Sequence, residues 1–466
     1  MKKILSILLT IAIVFGLCAC GGSGNNNENK PAECLQVGFS KIDVTPDFSV
    51  GLEGYADTAT RRSEGIFSYI YITCIAMSEA GETILLYTLD FASCYEGMTE
   101  LIRKTVSEAT GIPQTHIFAG ATHNHSAPSP MRSDPECLQY REIWLAAVVD
   151  SAKEALKDLA PASVLSAQPE IENMNFVRHY KMSDGTHAGS NFGSFTDSQI
   201  EGHSVEGDHK MTLVKFDRPE GKDDILLVNW AAHPDHGNKI GRNNIGADYP
   251  GALRDKVESE TGLKVAFFSG ASGNMNPDSK IPAEQHGLDV VQYGERLADY
   301  AIAALPTLAP VEGSGIKTMS ASVTLDVDHS WDHMIDEAKE VYELSNINSG
   351  SANALGKQYN FSSYHQARMI IARYSYELTQ DKNIHAFCVG GLGFISGDYE
   401  MFTETGMFIK ENSPFTTTFI VTGNTGYLAT EAAYDYRSYE ADTATFAKGS
   451  AEKLGDKFVE LLKALA

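Results

Sequence analysis

Histidines follow the apolar run that ends near residue 121. In the stretch ATHNHSAPSP, residues 121–130, His123 and His125 stand two residues apart, shortly after Ile117 and Phe118. Because side chains two apart in a strand point to the same face, we expect both imidazoles to converge on one place. Imidazole nitrogens are ligands for zinc and other divalent metals. The spacing therefore predicts a metal site at the end of this strand, with one or both rings as ligands.

A second histidine cluster follows another apolar run. In NWAAHPDHGN, His233 comes directly after the strand-like ILLVNWAA, and Asp235 and His236 are close behind. Functional groups collect at strand ends in α/β domains, so two such ends favour one shared metal site. A catalytic zinc keeps one position open and needs further protein ligands. Spacing alone does not select these ligands from 61 acidic residues.

The glycine-rich stretch FFSGASGNMNPDS, residues 267–279, ends a third apolar run. Backbone N–H groups in such a turn can hold an anion or an oxyanion. No Gly-Lys-Ser/Thr follows, so the stretch is not a phosphate-binding P-loop. An ordinary turn is the simpler interpretation, and beside two histidine clusters we interpret it as a wall of the same pocket.

The elements that must position these groups alternate between strand-like and helical patterns. Hairpins are predicted over 70–88 and 211–230, which indicates mixed and not purely parallel sheets. We therefore predict an α/β fold of mixed β-sheets with flanking helices in a single large domain. The region 330–381 holds two helical patterns around a polar linker, either an insertion or lid, or a helical hairpin packed on the sheet. Helices are predicted over 98–110, 140–159, 249–261, 290–304 and 450–465.

Composition restricts the partners of the chain. Its 466 residues carry a formal net charge of −24, which argues against nucleic acid as a ligand. The cysteines beyond Cys20 are widely and irregularly spaced, so buried free thiols are expected, with at most one disulfide. The oligomeric state is not predicted.

Residues 1–19 predict an export signal, with Lys2 and Lys3 before an apolar run. The sequence around Cys20, LCACG, resembles a bacterial lipobox, so we expect a lipidated Cys20, a flexible tether over 20–35 and a hydrolase domain over 36–466. The chain would then be lipid-anchored to a membrane of the cell envelope, outside the cytoplasm. An ordinary cleaved signal peptide is the alternative.

Several motifs, in order, resemble the catalytic domain of the neutral (alkaline, non-lysosomal) ceramidases from about residue 36 to the end. They are GFSKIDVTP, THNHSAP and NWAAHP. The resemblance implies that His123 and His233 are zinc ligands and that His125 is an acid, base or hydrogen-bond donor beside the reacting centre. A competing assignment, in which both His123 and His125 bind metal, stays open.

The same resemblance places the other ligands far along the chain. Glu400 in GDYEMFTETG and Tyr427 in TGNTGYLATEAAY fall at the glutamate and tyrosine ligand positions. Arg178, in NMNFVRHYKMSDGT, falls where the family has an arginine that contacts the reacting group. On the residues alone, Glu400 would be a helix-terminal charge, Tyr427 a core tyrosine and Arg178 a surface charge.

The chain departs from the family at three places. The family's Gly-Asp-Val-Ser-Pro falls on GNMNP, so Asn274 and Asn276 replace the aspartate and the serine, and Asn424 replaces the first tyrosine of a pair. Asparagine is no nucleophile, which excludes a covalent serine mechanism at this position. The family's C-terminal immunoglobulin-like domain is not expected.

The resemblance thus implies one Zn²⁺ that activates water to cleave an amide bond of a ceramide-like lipid or another N-acyl amine. Arg178 or Asn276 would stabilise the oxyanion, and His125 would move the proton. Rival hypotheses are an ester or cell-wall amide hydrolase and a surface lipoprotein that binds acylated ligands without turnover.

Overall fold

Three mixed β-sheets organise the protein. The computed structural model describes residues 34–55, 60–190, 192–193, 195–235 and 240–466. The signal predicted over 1–19 lies outside the described residues, as does most of the tether. Strands, in chain order, are β1 (Gln36–Asp43), β2 (Gly65–Ile66), β3 (Tyr71–Glu79), β4 (Glu82–Leu89), β5 (Ile117–Ala121), β6 (Ala160–Pro161), β7 (Ser163–Ala167), β8 (Phe176–Val177), β9 (His179–Met182), β10 (His187–Gly189), β11 (Ile200–His203), β12 (Thr212–Asp217), β13 (Ile225–Trp230), β14 (Asn244–Ile245), β15 (Lys264–Ser269), β16 (Met275–Asn276), β17 (Ala309–Pro310), β18 (Ile316–Asp326), β19 (Thr379–Val389), β20 (Leu392–Gly397), β21 (Glu400–Met401), β22 (Thr417–Thr422) and β23 (Tyr427–Leu428).

Helices flank these sheets. In chain order they are α1 (Glu96–Thr110), α2 (Pro135–Lys157), α3 (Asp248–Thr261), α4 (Val290–Ala304), α5 (Ile335–Ser345), α6 (Ser349–Gln358), α7 (Tyr364–Tyr374), α8 (Thr403–Asn412), α9 (Glu431–Asp435), α10 (Tyr439–Thr443) and α11 (Ser450–Leu465). Within the described ranges, no helix is long and apolar enough to cross a membrane. The predicted α/β fold with mixed sheets is confirmed.

Each large sheet has one parallel pair of strands at one side. The strand orders are β5-β4-β3-β1-β6, β15-β13-β12-β7-β17 and β18-β19-β20-β22. The parallel pairs are β4 with β5, β13 with β15, and β20 with β22, while the other pairings in these sheets are antiparallel. The two predicted hairpins are β3–β4 and β12–β13. The three sheets thus share one construction, a meander of antiparallel strands closed by a parallel one.

The parallel strands of the three sheets pack against one another in the centre. Every residue of β5, β13, β20 and β22 is buried, and strands buried on both faces are expected to be near-continuously apolar. Asn229 joins two sheets, because its Nδ2 donates to Phe268 O (3.0 Å) and Ile420 O (3.1 Å). Asn424 joins a third, donating to Ala121 O (2.9 Å). The carboxyl ends of these strands are therefore fixed close together.

The helix ends that were predicted most accurately are fixed by local signals, a side-chain cap or a glycine. Helix α4 begins where the Asp289 carboxylate accepts hydrogen bonds from the backbone N–H groups of Val291 and Gln292. Helix α1 ends at Gly111, whose φ of 79° suits a residue without a Cβ. The predicted bounds 290–304 and 450–465 are the observed bounds of α4 and α11.

The region 330–381 differs from its prediction. The polar segment interpreted as a linker forms helix α6, which begins where the Asn348 side chain accepts a hydrogen bond from Ser351 N (2.8 Å). Helices α5, α6 and α7 enclose a small apolar core of their own. Arg373 of α7 donates to Ala444 O (2.6 Å), just after α10. The three helices thus form a separate bundle against the segment that contains α10.

Four buried cysteines in the described part of the chain are free thiols. They are Cys74, Cys94, Cys137 and Cys388. This confirms the expectation of buried free thiols.

Candidate metal centre

The predicted metal ligands follow the ends of the central strands. His123 comes two residues after β5, His233 three after β13, Glu400 three after β20 and Tyr427 five after β22. Because the three sheets bring these strand ends together, side chains from four distant segments can meet there. The common position of the two histidine clusters, predicted from sequence, is confirmed.

His123 and His125 lie together, but the expectation that alternation along a strand orients their rings is wrong. Strand β5 ends at Ala121, and His123 has a φ of 67°, in the left-handed region. Alternation along a strand therefore does not orient the two rings. A turn held by the hydrogen bond from His123 N to Phe91 O (2.9 Å) brings them to the same place.

The imidazoles of His123 and His233 face each other through their Nε2 atoms. Their Nε2 atoms are 2.9 Å apart. His123 Nδ1 lies 2.6 Å from Ala92 O, and His233 Nδ1 lies 3.3 Å from Ser272 O. A carbonyl oxygen only accepts, so in neutral rings each Nδ1 carries the proton and each Nε2 keeps its lone pair. Two opposed lone pairs at this distance require a cation between them or a proton on one ring.

Glu400 completes the cluster. Its Oε2 lies 3.5 Å from His123 Nε2 and 3.9 Å from His233 Nε2, and this buried atom has no hydrogen-bond partner among the described residues. Ligand atoms of a tetrahedral zinc site are roughly 3.3 Å apart, because each lies about 2.0 Å from the ion. The spacing and the orphaned oxygen therefore fit a divalent cation.

His125 belongs to the same cluster. Its Nε2 is 3.4 Å from His123 Nε2, and the three imidazoles of His123, His125 and His233 form a group that could hold a metal ion. Burial lowers the pKa of both His125 and His233 well below the usual value, and the charge of His123 lowers it further. Neutral imidazole is the form that binds metals. The geometry thus leaves open both the ligand role and the proton-transfer role of His125.

Tyr427 lies beside Glu400 and contacts Arg178. Glu400 and Tyr427 are in register across the parallel pair β21–β23. Arg178 Nη2 donates to the Tyr427 hydroxyl (3.3 Å). Burial, and then the charge of Glu400, raise the pKa of Tyr427 well above its usual value. The phenol is therefore protonated in the absence of a cation.

Arg178 is buried, with 3% of its surface exposed, and not the surface charge that its residue type suggests. Glu440 and Gly273 O accept hydrogen bonds from its guanidinium at 2.7 and 2.8 Å. Its charge contributes to the lowered pKa of His233 and of His125. The arginine thus lies beside Tyr427 and close enough to the histidine cluster to influence the pKa of two of its imidazoles.

The two asparagines that replace the family's aspartate and serine differ in their surroundings. Asn274 is fully buried, and its side chain accepts from Thr403 N (2.9 Å) and donates to Glu404 Oε2 (2.7 Å). Asn276 pairs with Phe176 in the β8–β16 bridge, and its buried Oδ1 has no hydrogen-bond partner in the part of the chain that the structure describes. Asn274 therefore joins elements, whereas Asn276 keeps an unused acceptor.

Sequence reasoning missed Glu53 and Tyr55 beside His125. Glu53 N donates to Ala127 O (3.0 Å), and burial raises the pKa of the Glu53 carboxyl, which lies near the Ser129 hydroxyl and His123. The Tyr55 ring meets the His125 ring edge-on at 5.1 Å. Between them, Gly54 lies so close that a Cβ there would be 2.5 Å from His125 Cα. In the sequence, the one signal for these two residues is a glycine between them, a pattern too common to indicate a site.

His236, noted from the sequence, lies outside the described residues.

The fold and the site together define a class of protein, an α/β protein with a candidate metal centre at the carboxyl ends of its central strands.

No family model and no curated protein matches the sequence. Solved structures that match the fold include two ceramidases. The neutral ceramidase of Pseudomonas aeruginosa has a TM-score of 0.69 at 16% identity, and a ceramidase complexed with C2 has a TM-score of 0.65 at 14% identity. Each match covers 93% of this chain and 75% of the other. The chain therefore has the neutral ceramidase fold, as the resemblance implied.

Proposed function

We propose that this protein is a zinc-dependent hydrolase that cleaves the amide bond of an N-acylated substrate, a ceramide-like lipid or another N-acyl amine. One observation carries the proposal. Two opposed imidazole nitrogens and an unpartnered buried carboxylate oxygen meet at the strand ends of a fold shared with neutral ceramidases.

His123, His233, Glu400 and Tyr427 would hold the ion, and imidazole with carboxylate ligands favours zinc over calcium or magnesium. When bound, the ion supplies a Lewis acid and lowers the pKa of water to about 7. The Ala92 and Ser272 carbonyls orient the two imidazoles by accepting from Nδ1, which raises the basicity of each Nε2.

Arg178 and Asn276 are the groups proposed to stabilise the oxyanion of the tetrahedral intermediate. One such donor contributes about 2.7–4 kcal/mol in comparable sites. Arg178 is already desolvated and fixed, so it would not reorganise as charge develops. Asn276 is at the position of the family's serine, and its Nδ2 would be the donor, because the amide oxygen can only accept a hydrogen bond.

His125 is proposed to accept the proton of the attacking water and to deliver it to the leaving nitrogen. It is half-buried and adjacent to the cluster, and its lowered pKa keeps the imidazole neutral and able to accept a proton. Its Nδ1 makes no hydrogen bond within the described part of the chain, so the ring is free to change tautomer.

Two arms test the proposal. The first measures hydrolysis of N-acyl amines of varied acyl length and amine, together with an ester and a cell-wall amide, with and without chelator. The second compares zinc content in His233→Ala with that in a control, His333→Ala, an exposed histidine. We expect chelator and His233→Ala to abolish turnover and zinc content together. A zinc-loaded protein that binds acyl amides without cleaving them would support the ligand-binding alternative instead.

We also propose that Cys20 is lipidated and anchors the protein to a membrane of the cell envelope. The support is the lipobox-like LCACG after an apolar run. Metabolic labelling with a fatty acid tests this. Label on the wild type and none on Cys20→Ala is the expected result, whereas an unlabelled wild type would contradict it.

A further inference from the structure

Glu440 is a buried carboxylate between two basic side chains. It has 1% of its surface exposed. One oxygen, Oε1, accepts from Arg178 Nε at 2.7 Å, and the other, Oε2, lies 2.8 Å from His179 Nε2. His179 Nδ1 in turn lies 2.8 Å from the Tyr436 hydroxyl. The four side chains form one continuous hydrogen-bonded chain that ends at Arg178.

This carboxylate is ionised and held on a fixed element. Burial alone would raise its pKa, but His179 and Arg178 lower the pKa of Glu440 to about 2. Glu440 lies in α10, whose start is fixed by the Ser438 hydroxyl accepting from Ala441 N (3.1 Å). A buried ion pair contributes little net stability after desolvation, but it can fix geometry.

The contacts of Arg178 show what Glu440 fixes. Glu440 Oε1 lies 2.7 Å from both Nε and Nη2, which occupies one edge of the guanidinium. Nη2 also donates to Gly273 O and the Tyr427 hydroxyl. Among the described residues, none accepts a hydrogen bond from Nη1. The Glu440–Arg178 pair therefore holds the guanidinium rigidly and leaves its Nη1 donor unused beside the candidate metal centre.

We propose that Glu440 is a positioning residue that holds the Arg178 guanidinium against the metal centre, with His179 supporting Glu440 from behind, so that Nη1 meets an anionic oxygen of the bound acyl group. This inference rests on the proposed function for the identity of that oxygen. Without Glu440, the acceptors left to Arg178 among the described residues would be the Gly273 carbonyl and the Tyr427 hydroxyl, and its plane would no longer be fixed.

Decanoate tests the proposal, because it carries the acyl carboxylate that amide hydrolysis would release and its binding needs no turnover. Its affinity for the zinc-loaded protein is measured by calorimetry for the wild type, Glu440→Gln, Arg178→Met and the double variant. We expect each single variant to bind about tenfold more weakly. The double variant should bind no more weakly than Arg178→Met, since Glu440 acts through Arg178.

The matched control is Asp158→Asn, another carboxylate paired with a buried arginine, Arg218, at 2.6 Å. It should bind decanoate as the wild type does. Zinc content and melting temperature are measured for every variant. If Glu440→Gln does not fold, His179→Gln replaces it, with a smaller loss that disappears in the Arg178→Met background.

Wild-type affinity in Glu440→Gln, or losses that multiply in the double variant, would overturn the positioning role, as would a wild type that does not bind decanoate. Failure of the proposed function has a different signature. If the protein cleaves no amide but the effects of Glu440→Gln and Arg178→Met on decanoate affinity are non-additive, the positioning role stands and only the hydrolase proposal fails.

Discussion

Glu400 lies directly opposite Tyr427 across a two-residue parallel pair, so a carboxylate and a phenol leave neighbouring strands side by side. Residues in register point to the same face of a sheet. Within the described ranges, Glu400 Oε2 has no hydrogen-bond partner, whereas the Tyr427 hydroxyl accepts from Arg178. The pair thus offers one vacant ligand atom and one that a cation must deprotonate before it binds.

Glu400→Gln should weaken zinc binding by at least about tenfold, because it replaces an anionic ligand with a neutral one. Competition with a chromogenic chelator measures the affinity. Glu411→Gln, which changes an exposed carboxylate, is the control. Unchanged zinc affinity in Glu400→Gln would remove Glu400 from the ligand set.

Tyr427→Phe separates two possible fourth ligands. If the phenol binds the ion, its removal should weaken zinc binding by roughly tenfold and leave the fold intact. Tyr439→Phe is the control, because its ring lies 6.0 Å from that of Tyr427. Full zinc affinity in Tyr427→Phe would instead favour the cluster of three imidazoles.

His125→Ala should retain zinc and lose turnover by about 10²- to 10⁴-fold, the usual contribution of a general acid or base. Zinc content and kcat are measured on the same preparation. Loss of the metal would show that His125 is a ligand. Retention of turnover would contradict the proton-transfer role.

His385 should make the protein less stable in mild acid. Burial, and then Arg103, lower the pKa of His385 to about 3, whereas an unfolded chain has a histidine pKa of about 6.5. Between these values the unfolded state binds the extra proton, so this contribution is fully present above pH 6.5 or so and is lost as the pH falls.

The variant His385→Gln isolates this effect. The free energy of unfolding, measured in urea from pH 7 to pH 5, should fall more steeply in the wild type, by about 1 kcal/mol per pH unit below 6.5. His333→Gln, at an exposed position, should follow the wild type. Parallel curves for the wild type and His385→Gln would contradict the prediction.

Much of the fold could be predicted because local signals suffice for it. Helix α4 has a capping box at Asp289, and the β3–β4 hairpin has apolar runs around a turn. His123 and His233 could be placed together because both follow buried strands. Glu400 and Tyr427 could be placed only through family resemblance, because β21 and β23 are two residues long and leave no periodicity.

The remaining site residues depend on contacts between distant segments. Glu440 meets Arg178 across 262 positions of the chain, and no local pattern marks one acidic residue in α10. The helix α6 was missed because its composition of glycine, serine and asparagine does not indicate a helix, whereas packing of the buried Ala352 in the bundle and a side-chain cap at Asn348 stabilise one.

The backbone at His123 gives a way to follow this chemistry through evolution. A residue with a Cβ is strained at a φ of 67°, by about 1 kcal/mol or more, and glycine would relieve that strain. In any descendant that no longer needs the imidazole, relief of this backbone strain would favour replacement of the histidine. Among homologous sequences, glycine or asparagine at this one position would mark lineages in which selection for metal chemistry has lapsed.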